Sequence, residues 1–422
     1  MYERLLSFVN ENKLLYSYQF GFRYGHSPNL AMIILIDKIS NALKNGEYVL
    51  GLFLDFSKAF DTVNHSILYE KLEFYGVRGH CLDLFKSYLS QRKQYVEYGD
   101  TQSHEQLITC GVPQGSILGP LLFLLYINDL AHVSTKLFSL LFADDSNLFI
   151  SGNDINEMIN TMNNEMIKIM KWLHVNRLSL NLKKTHFIIF RKKRCKVEID
   201  ENVIINDITI SRVNKTKFLG VIIDEFLSFQ QHINYIKGKV ARGLGILYKA
   251  KKFLHQKTLV QLYNAFVYPY INYCIPVWGN SCKTYLDPLV KIQKRVVRIL
   301  KGVKKFDHTD SIFKELKIMK ISEIYVYTLQ LILYKHHHLL LPDIFADFFV
   351  SNESIHNHNT RQAHLLHVPL LRSQPAYSSI RKTGVRSYNY FMGIIDLNVS
   401  IITYKYHLKK FILENGVSFM YS

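Results

Sequence analysis

Long apolar runs are missing from this 422-residue chain. The longest, near Ile117 to Ile127, contains Gly119 and Pro120 and runs into Asn128 and Asp129. That is well short of the roughly 20 apolar residues a membrane-spanning helix needs, so no membrane segment is expected. The opening Met1-Tyr2-Glu3-Arg4 has no apolar signal core and carries an acid early, which gives no support to secretion or organelle import. The expectation is an intracellular protein of nucleus or cytoplasm. Cysteine is scarce: Cys81, Cys110, Cys195, Cys274 and Cys282 show no CxxC spacing and are odd in number. They offer neither a paired disulfide framework nor a metal-binding pair, and reduced, mostly buried thiols are expected. Internal repeats and low-complexity tracts are absent too.

Acids are also in short supply. Against 52 Lys and Arg stand 34 Asp and Glu, for a formal charge of +18, which points to a polyanionic partner. The imbalance is concentrated: between Phe226 and Lys305 there are fifteen Lys or Arg and one acid, Asp287. A charge run is ordinarily a solvated face. The length and one-sidedness of this run favour nucleic-acid contact instead. What is abundant is core material, with 48% hydrophobic residues, 27 Tyr and 27 Phe, so the chain is expected to be globular, with room for two to four subdomains.

Along the chain the patterns alternate between strand and helix. The first 45 residues read as helix, a loop around Gly21 to Pro28, then helix from about Asn29 to Leu43. Tyr48 to Leu54 is a continuous apolar run of strand length ending at Asp55, and helical spacing returns from Ser57 to Tyr75. Gln94 to Cys110 suggests a hairpin turning near Gly99-Asp100, and Gly111 to Pro120 a loop feeding a helix. Leu137 to Ala143 and Ser146 to Ile150 flank Asp144 and Asp145, the pattern of a hairpin with acids at its tip. A methionine-rich amphipathic helix over Asn156 to Val175 reads as core packing. Strands are expected at His186 to Phe190 and Phe218 to Ile223, and helices, many of them basic, beyond Phe226. The segment Ser351 to Gln374 reads as a linker.

Two acidic sites at the ends of apolar strands, far apart in sequence, prompt the idea of a divalent-metal site. Phosphoryl transfer to a nucleotide needs carboxylates from different elements to converge. A single acid after a strand is usually a cap or turn. An adjacent pair at a hairpin tip is different, since two neighbouring carboxylates repel unless a cation intervenes.

At this point the residues resemble a known family. Leu54-Asp-Phe-Ser-Lys-Ala-Phe-Asp61, Gly111-Val-Pro-Gln-Gly-Ser-Ile-Leu-Gly-Pro120, Phe142-Ala-Asp-Asp145 and Phe218-Leu-Gly-Val221 follow the order and rough spacing of the palm motifs of reverse transcriptases. They look most like those of jockey-like non-long-terminal-repeat retrotransposons. Gln19-Phe-Gly-Phe-Arg23 and the block from Leu178 through Asn181, Lys184 and Thr185 fit the same family.

The resemblance implies an α+β right-hand polymerase: partial fingers over 1–46, a ferredoxin-like antiparallel palm over 47–225, a basic helical thumb over 226–311, and a C-terminal region over 312–422 of open role. It implies RNA-directed DNA synthesis that extends a DNA 3′ end with deoxynucleoside triphosphates on an RNA template. Two Mg²⁺ ions, or Mn²⁺, would be the cofactors. Asp55 and Asp144 would bridge the metals, with Asp145 supporting the primer-side ion. Phe56, Ser57, Lys58 and Ala59 would offer backbone N–H groups to the triphosphate where a strand turns into a helix. Phe60 resembles a steric gate against a ribose 2′-hydroxyl, with core packing as the alternative. Gln114 would approach the nucleotide, or form a plain turn. Arg23 would clamp the triphosphate, or make a surface ion pair. Lys184 would neutralise the leaving pyrophosphate, with Lys183 leaving that register open. Asp61 reads as a structural contact. Lys291, Lys294, Arg295 and Arg298 would grip duplex phosphates.

Departures from the family pattern belong beside the likeness. The chain opens on Tyr2-Glu3-Arg4-Leu5, just after the family's initial finger motif, so an N-terminally truncated member is expected. Asn389-Tyr390 stands where a Trp-Asn pair is common, and His358, Thr360 and Arg361 resemble the family's tail. His336-His337-His338 reads as a helix face or polar turn rather than a metal site. The alternatives are an inactive nucleic-acid-binding remnant, or a related polymerase of the intron-maturase or telomerase kind.

Overall fold

A computed structural model describes residues 1–195, 199–355, 362–369 and 380–417. His358, Thr360 and Arg361 lie outside the described residues, as does part of the expected linker. The chain folds as two compact units, one of residues 1–27 and 42–214, the other of residues 28–41 and 215–422. This groups residues 28–41 and 215–225 differently from the four segments read from the sequence.

The first unit carries helices α1 (Tyr2–Glu11), α3 (His65–Phe74), α4 (His80–Leu89), α5 (Leu118–Ile127) and α6 (Ile155–Val175), and the helix α2 (Pro28–Asn45) is divided between the units. Its strands are β1 (Tyr48–Leu54), β2 (Lys93–Gln94), β3 (Glu97–Tyr98), β4 (Thr101–Gln102), β5 (Gln106–Leu107), β6 (Phe138–Phe142), β7 (Asp145–Gly152), β8 (His186–Phe190), β9 (Ile204–Ile205), β10 (Ile208–Thr209) and β11 (Ser211–Arg212). The short β2 to β5 form the expected exposed hairpin about Gly99. The main sheet has the order β11-β8-β1-β7-β6. Its four longer strands pair antiparallel, and with helices crossing between β1 and β6 and between β7 and β8 this is the ferredoxin-like arrangement expected of a palm. Strand β1 is central because it is apolar on both faces, and every residue from Val49 to Leu54 is buried.

Helices α5 and α6 fill the core in different ways. All nine non-proline residues of α5 from Leu118 to Ile127 are buried, as suits a helix apolar all round. Helix α6 buries one stripe, Met158, Ile159, Met162, Met166, Ile169 and Leu173, so its methionines are core. Lys71, mostly buried, ties α3 to the end of α5: its ammonium donates to the Tyr126 carbonyl at 2.6 Å and to Asp129 at 2.6 Å. Asp129 accepts from the Trp172 indole at 3.0 Å, which joins α6 to the same network.

The second unit opens on a hairpin, β12 (Lys215–Phe218) and β13 (Val221–Asp224). The sequence pattern predicts one strand from Phe218 to Ile223. Leu219 and Gly220 instead adopt φ of +43° and +80°, a two-residue turn of the mirror-image kind favoured in hairpins. Asp224 then accepts from the N–H groups of Phe226, Ser228 and Phe229 at 2.9 to 3.2 Å, launching α7 (Gln230–Ala250). The helices α8 (Gln256–Phe266), α9 (Tyr268–Asn272), α10 (Ile275–Trp278), α11 (Lys283–Lys301), α12 (Asp310–Glu315), α13 (Ile321–His337), α14 (Val385–Phe391) and α15 (Ile401–Asn415) follow. Trp278 and Tyr263 are fully buried, and Arg381 meets Asp37 through two hydrogen bonds of 2.8 and 2.9 Å.

The histidine run ends α13. His337 lies 2.9 Å from the Tyr388 hydroxyl and His338 2.8 Å from the Leu397 carbonyl. The Asn389 side chain makes two hydrogen bonds to the Leu366 backbone. The five cysteines form no disulfide, and Cys81, Cys110 and Cys282 are exposed, so the expectation of mostly buried thiols is corrected. These three stand at surface positions of α4, of the segment before the glycine-rich loop and of the turn before α11, outside the core. Among the described residues no helix is long and apolar enough to cross a membrane.

Candidate active site

Register brings the acids together. Leu54, the last residue of β1, pairs with Ser146 of β7, so Asp55 emerges beside Asp145. Strands β6 and β7 are joined by Ala143 and Asp144, with Phe142 opposite Asp145 and Ala143 in the left-handed region at φ +55°. The Asp145 carboxyl is pushed up to about 6, first by the burial of its carboxyl and then by the charges of Asp144 and Asp55. The residue as a whole keeps solvent exposure, as it would in a recess open on one side. A carboxyl whose proton affinity is raised by burial and by two neighbouring acids marks a place where a cation can take the proton's place.

Asp55 is fixed from behind by the block that follows α6. Its carbonyl accepts from the Asn181 N–H at 2.7 Å, and the Ser57 N–H donates to the Ser179 carbonyl at 2.9 Å. The buried Thr185 hydroxyl accepts from the Asp55 N–H at 3.4 Å and donates to the Asn181 carbonyl at 3.1 Å. Lys184 Nζ stands 3.9 Å from the Asp55 carboxylate, with both side chains well exposed. Solvent screening keeps such a pair weak, so the ammonium is held near the site without being locked to it.

The segment after Asp55 departs from expectation. In place of helix from Ser57 onward there is a three-residue 3₁₀ turn, Ala59–Asp61. Helix begins only at His65, capped by the Asn64 side chain, which accepts from the Ile67 N–H at 3.1 Å. The reason is local: Lys58 has φ +52° and the Ser57 N–H is spent across the sheet. Phe56, Ser57, Lys58 and Ala59 therefore form a bent strand end rather than a helix start. Phe60 is half-buried, its ring stacked on Phe123 at 4.2 Å and edge-on to Phe22 at 6.2 Å.

The glycine-rich loop is stitched to the same segment. Val112 N–H donates to the Phe60 carbonyl at 2.9 Å and Gly111 N–H to that of Val63 at 2.8 Å. Gly111 has φ +86°, and a Cβ there would stand 2.8 Å from the Asp61 carbonyl oxygen. The Gln114 amide donates to the Asp61 carboxylate at 2.7 Å. His65 Nε2 lies 2.8 Å from the Gly111 carbonyl. Arg23 is turned to its own loop, donating to the carbonyls of Tyr16 and Gln19 at 2.9 and 3.1 Å. In the second unit, α11 buries Leu289, Val296, Val297 and Leu300. It leaves Lys291 and Arg295 exposed and Lys294 and Arg298 partly so.

Among the described residues no three His, Cys, Asp or Glu side chains are gathered closely enough to cage an ion by themselves. Magnesium does not need a cage, since it takes one or two carboxylates and completes its shell with water and substrate phosphate oxygens. The all-oxygen donor set of Asp55, Asp144 and Asp145, open to solvent, fits that kind of ion. Sequence reasoning assigned no role to Thr185, His65 or Gln19. The first two act through backbone groups distant in the chain, which leave no spacing signal. Gln19 and Thr185 both stand in blocks singled out for their likeness alone.

A "Probable RNA-directed DNA polymerase from transposon X-element" of Drosophila melanogaster is 28% identical over 328 residues, spanning 76% of this chain and 36% of the relative. An "RNA-directed DNA polymerase from mobile element jockey" of Drosophila funebris is 26% identical over 331 residues, with the same coverage. The chain thus spans about a third of the length of these curated relatives. Among solved structures, apo telomerase from Candida tropicalis aligns with 78% of this chain and 57% of its own, at 13% identity and a TM-score of 0.41. The sequence profile described as "Reverse transcriptase (RNA-dependent DNA polymerase)" matches residues 1–223, more than half of the chain and all of the palm motifs, and the protein belongs to the reverse transcriptase family.

Proposed function

We propose that this chain carries out RNA-directed DNA synthesis for a non-long-terminal-repeat retrotransposon, adding deoxynucleotides to a DNA 3′ end paired with an RNA template. The observation that carries the reading is the convergence of Asp55 with Asp144 and Asp145 at the end of β1 and the β6–β7 turn, where burial and then the charges of Asp144 and Asp55 lift Asp145 to about 6. Family membership and the names of the relatives support it. Reverse transcriptases as a family use divalent metal ions. Here Asp55, Asp144 and Asp145 would hold two Mg²⁺, or Mn²⁺ in its place. Such ions, when bound, supply activation of the 3′-hydroxyl and stabilisation of the departing pyrophosphate.

The chain's own groups do the rest. Lys184, loosely paired with Asp55, is free to swing toward the pyrophosphate and neutralise it. Phe60, braced by Phe123, presents a rigid ring to the sugar. Gln114, hydrogen-bonded to Asp61, and the bent segment Phe56 to Ala59 would line the nucleotide's approach. Arg23 acts by bracing the loop before α2, with any triphosphate contact requiring it to leave its carbonyl partners. Lys291, Lys294, Arg295 and Arg298 of α11 grip the template–primer phosphates without reading sequence.

The test is primer extension of oligo-dT on poly-rA with dTTP and Mg²⁺. Wild-type protein is expected to extend the primer, and Asp144→Asn to lose at least about 100-fold in rate, because a ligand and its charge vanish together. Undiminished extension by Asp144→Asn would rule out the site. Binding of the duplex without extension by the wild type would favour the inactive-remnant reading.

A further inference from the structure

The block Gln19-Phe-Gly-Phe-Arg23 lies against the acid-bearing turn. Phe20 N–H donates to the Leu141 carbonyl at 2.8 Å and Leu141 N–H to the Tyr18 carbonyl at 3.1 Å, so Tyr18 to Phe20 runs parallel to β6 as one more edge of the sheet. Beyond that edge the backbone ladder stops, because Ala143 turns into the left-handed region and its N–H points away from a strand partner. A side chain takes over. Gln19 is 1% exposed. Its Oε1 accepts from the Ala143 N–H at 2.9 Å and from the Gly21 N–H at 2.9 Å. Its Nε2 is buried with no hydrogen-bond partner.

That asymmetry is informative. A buried amide that satisfies two backbone donors with its oxygen and leaves its own nitrogen unsatisfied carries an uncompensated desolvation cost. A purely packing role would be filled better by an apolar residue. Gly21 closes the arrangement from the other side: a Cβ there would stand 2.5 Å from the Ala143 nitrogen and 3.0 Å from the Phe142 carbonyl carbon. Backbone thus meets backbone at the residue immediately before Asp144.

Resting on the proposed polymerase reading, we infer that Gln19 is a positioning residue, whose carboxamide oxygen, with Gly21 beneath it, clamps the Ala143–Asp144 turn and so sets where the Asp144 carboxylate points. Because only the oxygen is used, glutamate at this position keeps the acceptor and methionine of similar shape removes it. The two substitutions separate clamping from filling space.

The experiment compares wild type, Gln19→Met, Gln19→Glu and Gly21→Ala by hydrogen-exchange mass spectrometry on the peptide covering residues 141–147, by thermal melting, and by steady-state primer extension with Mg²⁺ titration. Gln19→Met and Gly21→Ala are expected to exchange faster at the turn. Their kcat is expected to fall on the order of 10- to 100-fold, the scale of a small misplacement of a reacting group. Half-saturating Mg²⁺ rises several-fold, while KM for the nucleotide stays within about twofold. Gln19→Glu restores turn protection and most of the rate. Wild-type protection and Mg²⁺ dependence in Gln19→Met would overturn the inference, as would a Gln19→Glu variant as loosened as Gln19→Met. The exchange measurement needs no activity, so loss of protection in a wild-type background that never extends a primer refutes the polymerase reading and leaves the clamp standing.

Discussion

At the scale of single residues, the site is held together by hydrogen bonds from segments distant in the chain. Thr185 and Asn181 hold the Asp55 backbone, His65 and Asp61 meet the Gly111 to Gly115 loop, and Gln19 holds the Ala143 turn. Phe60 is the residue whose role is most open to direct test. Its ring is half-buried and stacked on Phe123, so it cannot move aside at low cost. Phe60→Val removes the ring while keeping an apolar side chain, at a position outside β1. Incorporation of ribonucleotides relative to deoxynucleotides is expected to rise by at least about tenfold, the worth of relieving a steric clash of 1–3 kcal/mol. Competition kinetics of rUTP against dTTP measure it. A variant with unchanged discrimination would return Phe60 to plain core packing.

At the scale of elements, the α7 helix carries a buried histidine that couples the second unit to pH. His232 is 2% exposed and its Nδ1 accepts from the Ile222 N–H of β13 at 3.2 Å, with the Trp278 ring edge-on at 5.7 Å. Burial, with Lys217 adding to it, pulls its imidazole down to about 4 from the ordinary 6.5. The neutral ring is therefore the folded form. Its contribution is fully present above pH 6.5 and is lost as the pH falls from 6.5 towards 4, by about 3 kcal/mol at the lower end. His232→Asn keeps an acceptor for Ile222 and cannot take a proton. Thermal melts at pH 7.5 and 4.5 are expected to show a smaller acid loss in the variant than in wild type. Equal losses would mean that His232 protonates without strain. The β12–β13 hairpin belongs to the same scale: its pattern reads as one strand, and the Leu219-Gly220 turn emerges only because both residues accept positive φ.

For the whole molecule, the governing quantity is charge. The excess of +18 makes binding to nucleic acid salt-dependent, with a slope set by the number of phosphates neutralised. Replacing Lys291, Lys294, Arg295 and Arg298 with glutamine is expected to weaken binding of an RNA–DNA duplex uniformly across sequences. The slope of log affinity against log salt should flatten by about 3.6, roughly 0.9 for each of the four lost contacts. Filter binding between 50 and 200 mM salt, roughly the range in which such slopes are read, decides it, and an unchanged slope would move the interface elsewhere. By itself the sequence determined the α+β class, the central strand at Tyr48 to Leu54, the acid-tipped hairpin and the buried stripe of α6, because apolar periodicity and turn residues are local signals. It also pointed to the family through an ordered set of short blocks. Only the tertiary structure decided that Phe56 to Ala59 bends instead of starting a helix, that residues 28–41 group with 215–422, and that Gln19 reaches the Ala143 turn. Each of these depends on a hydrogen bond or a contact between segments distant in the chain, and such a bond has no period, spacing or composition by which a sequence could announce it.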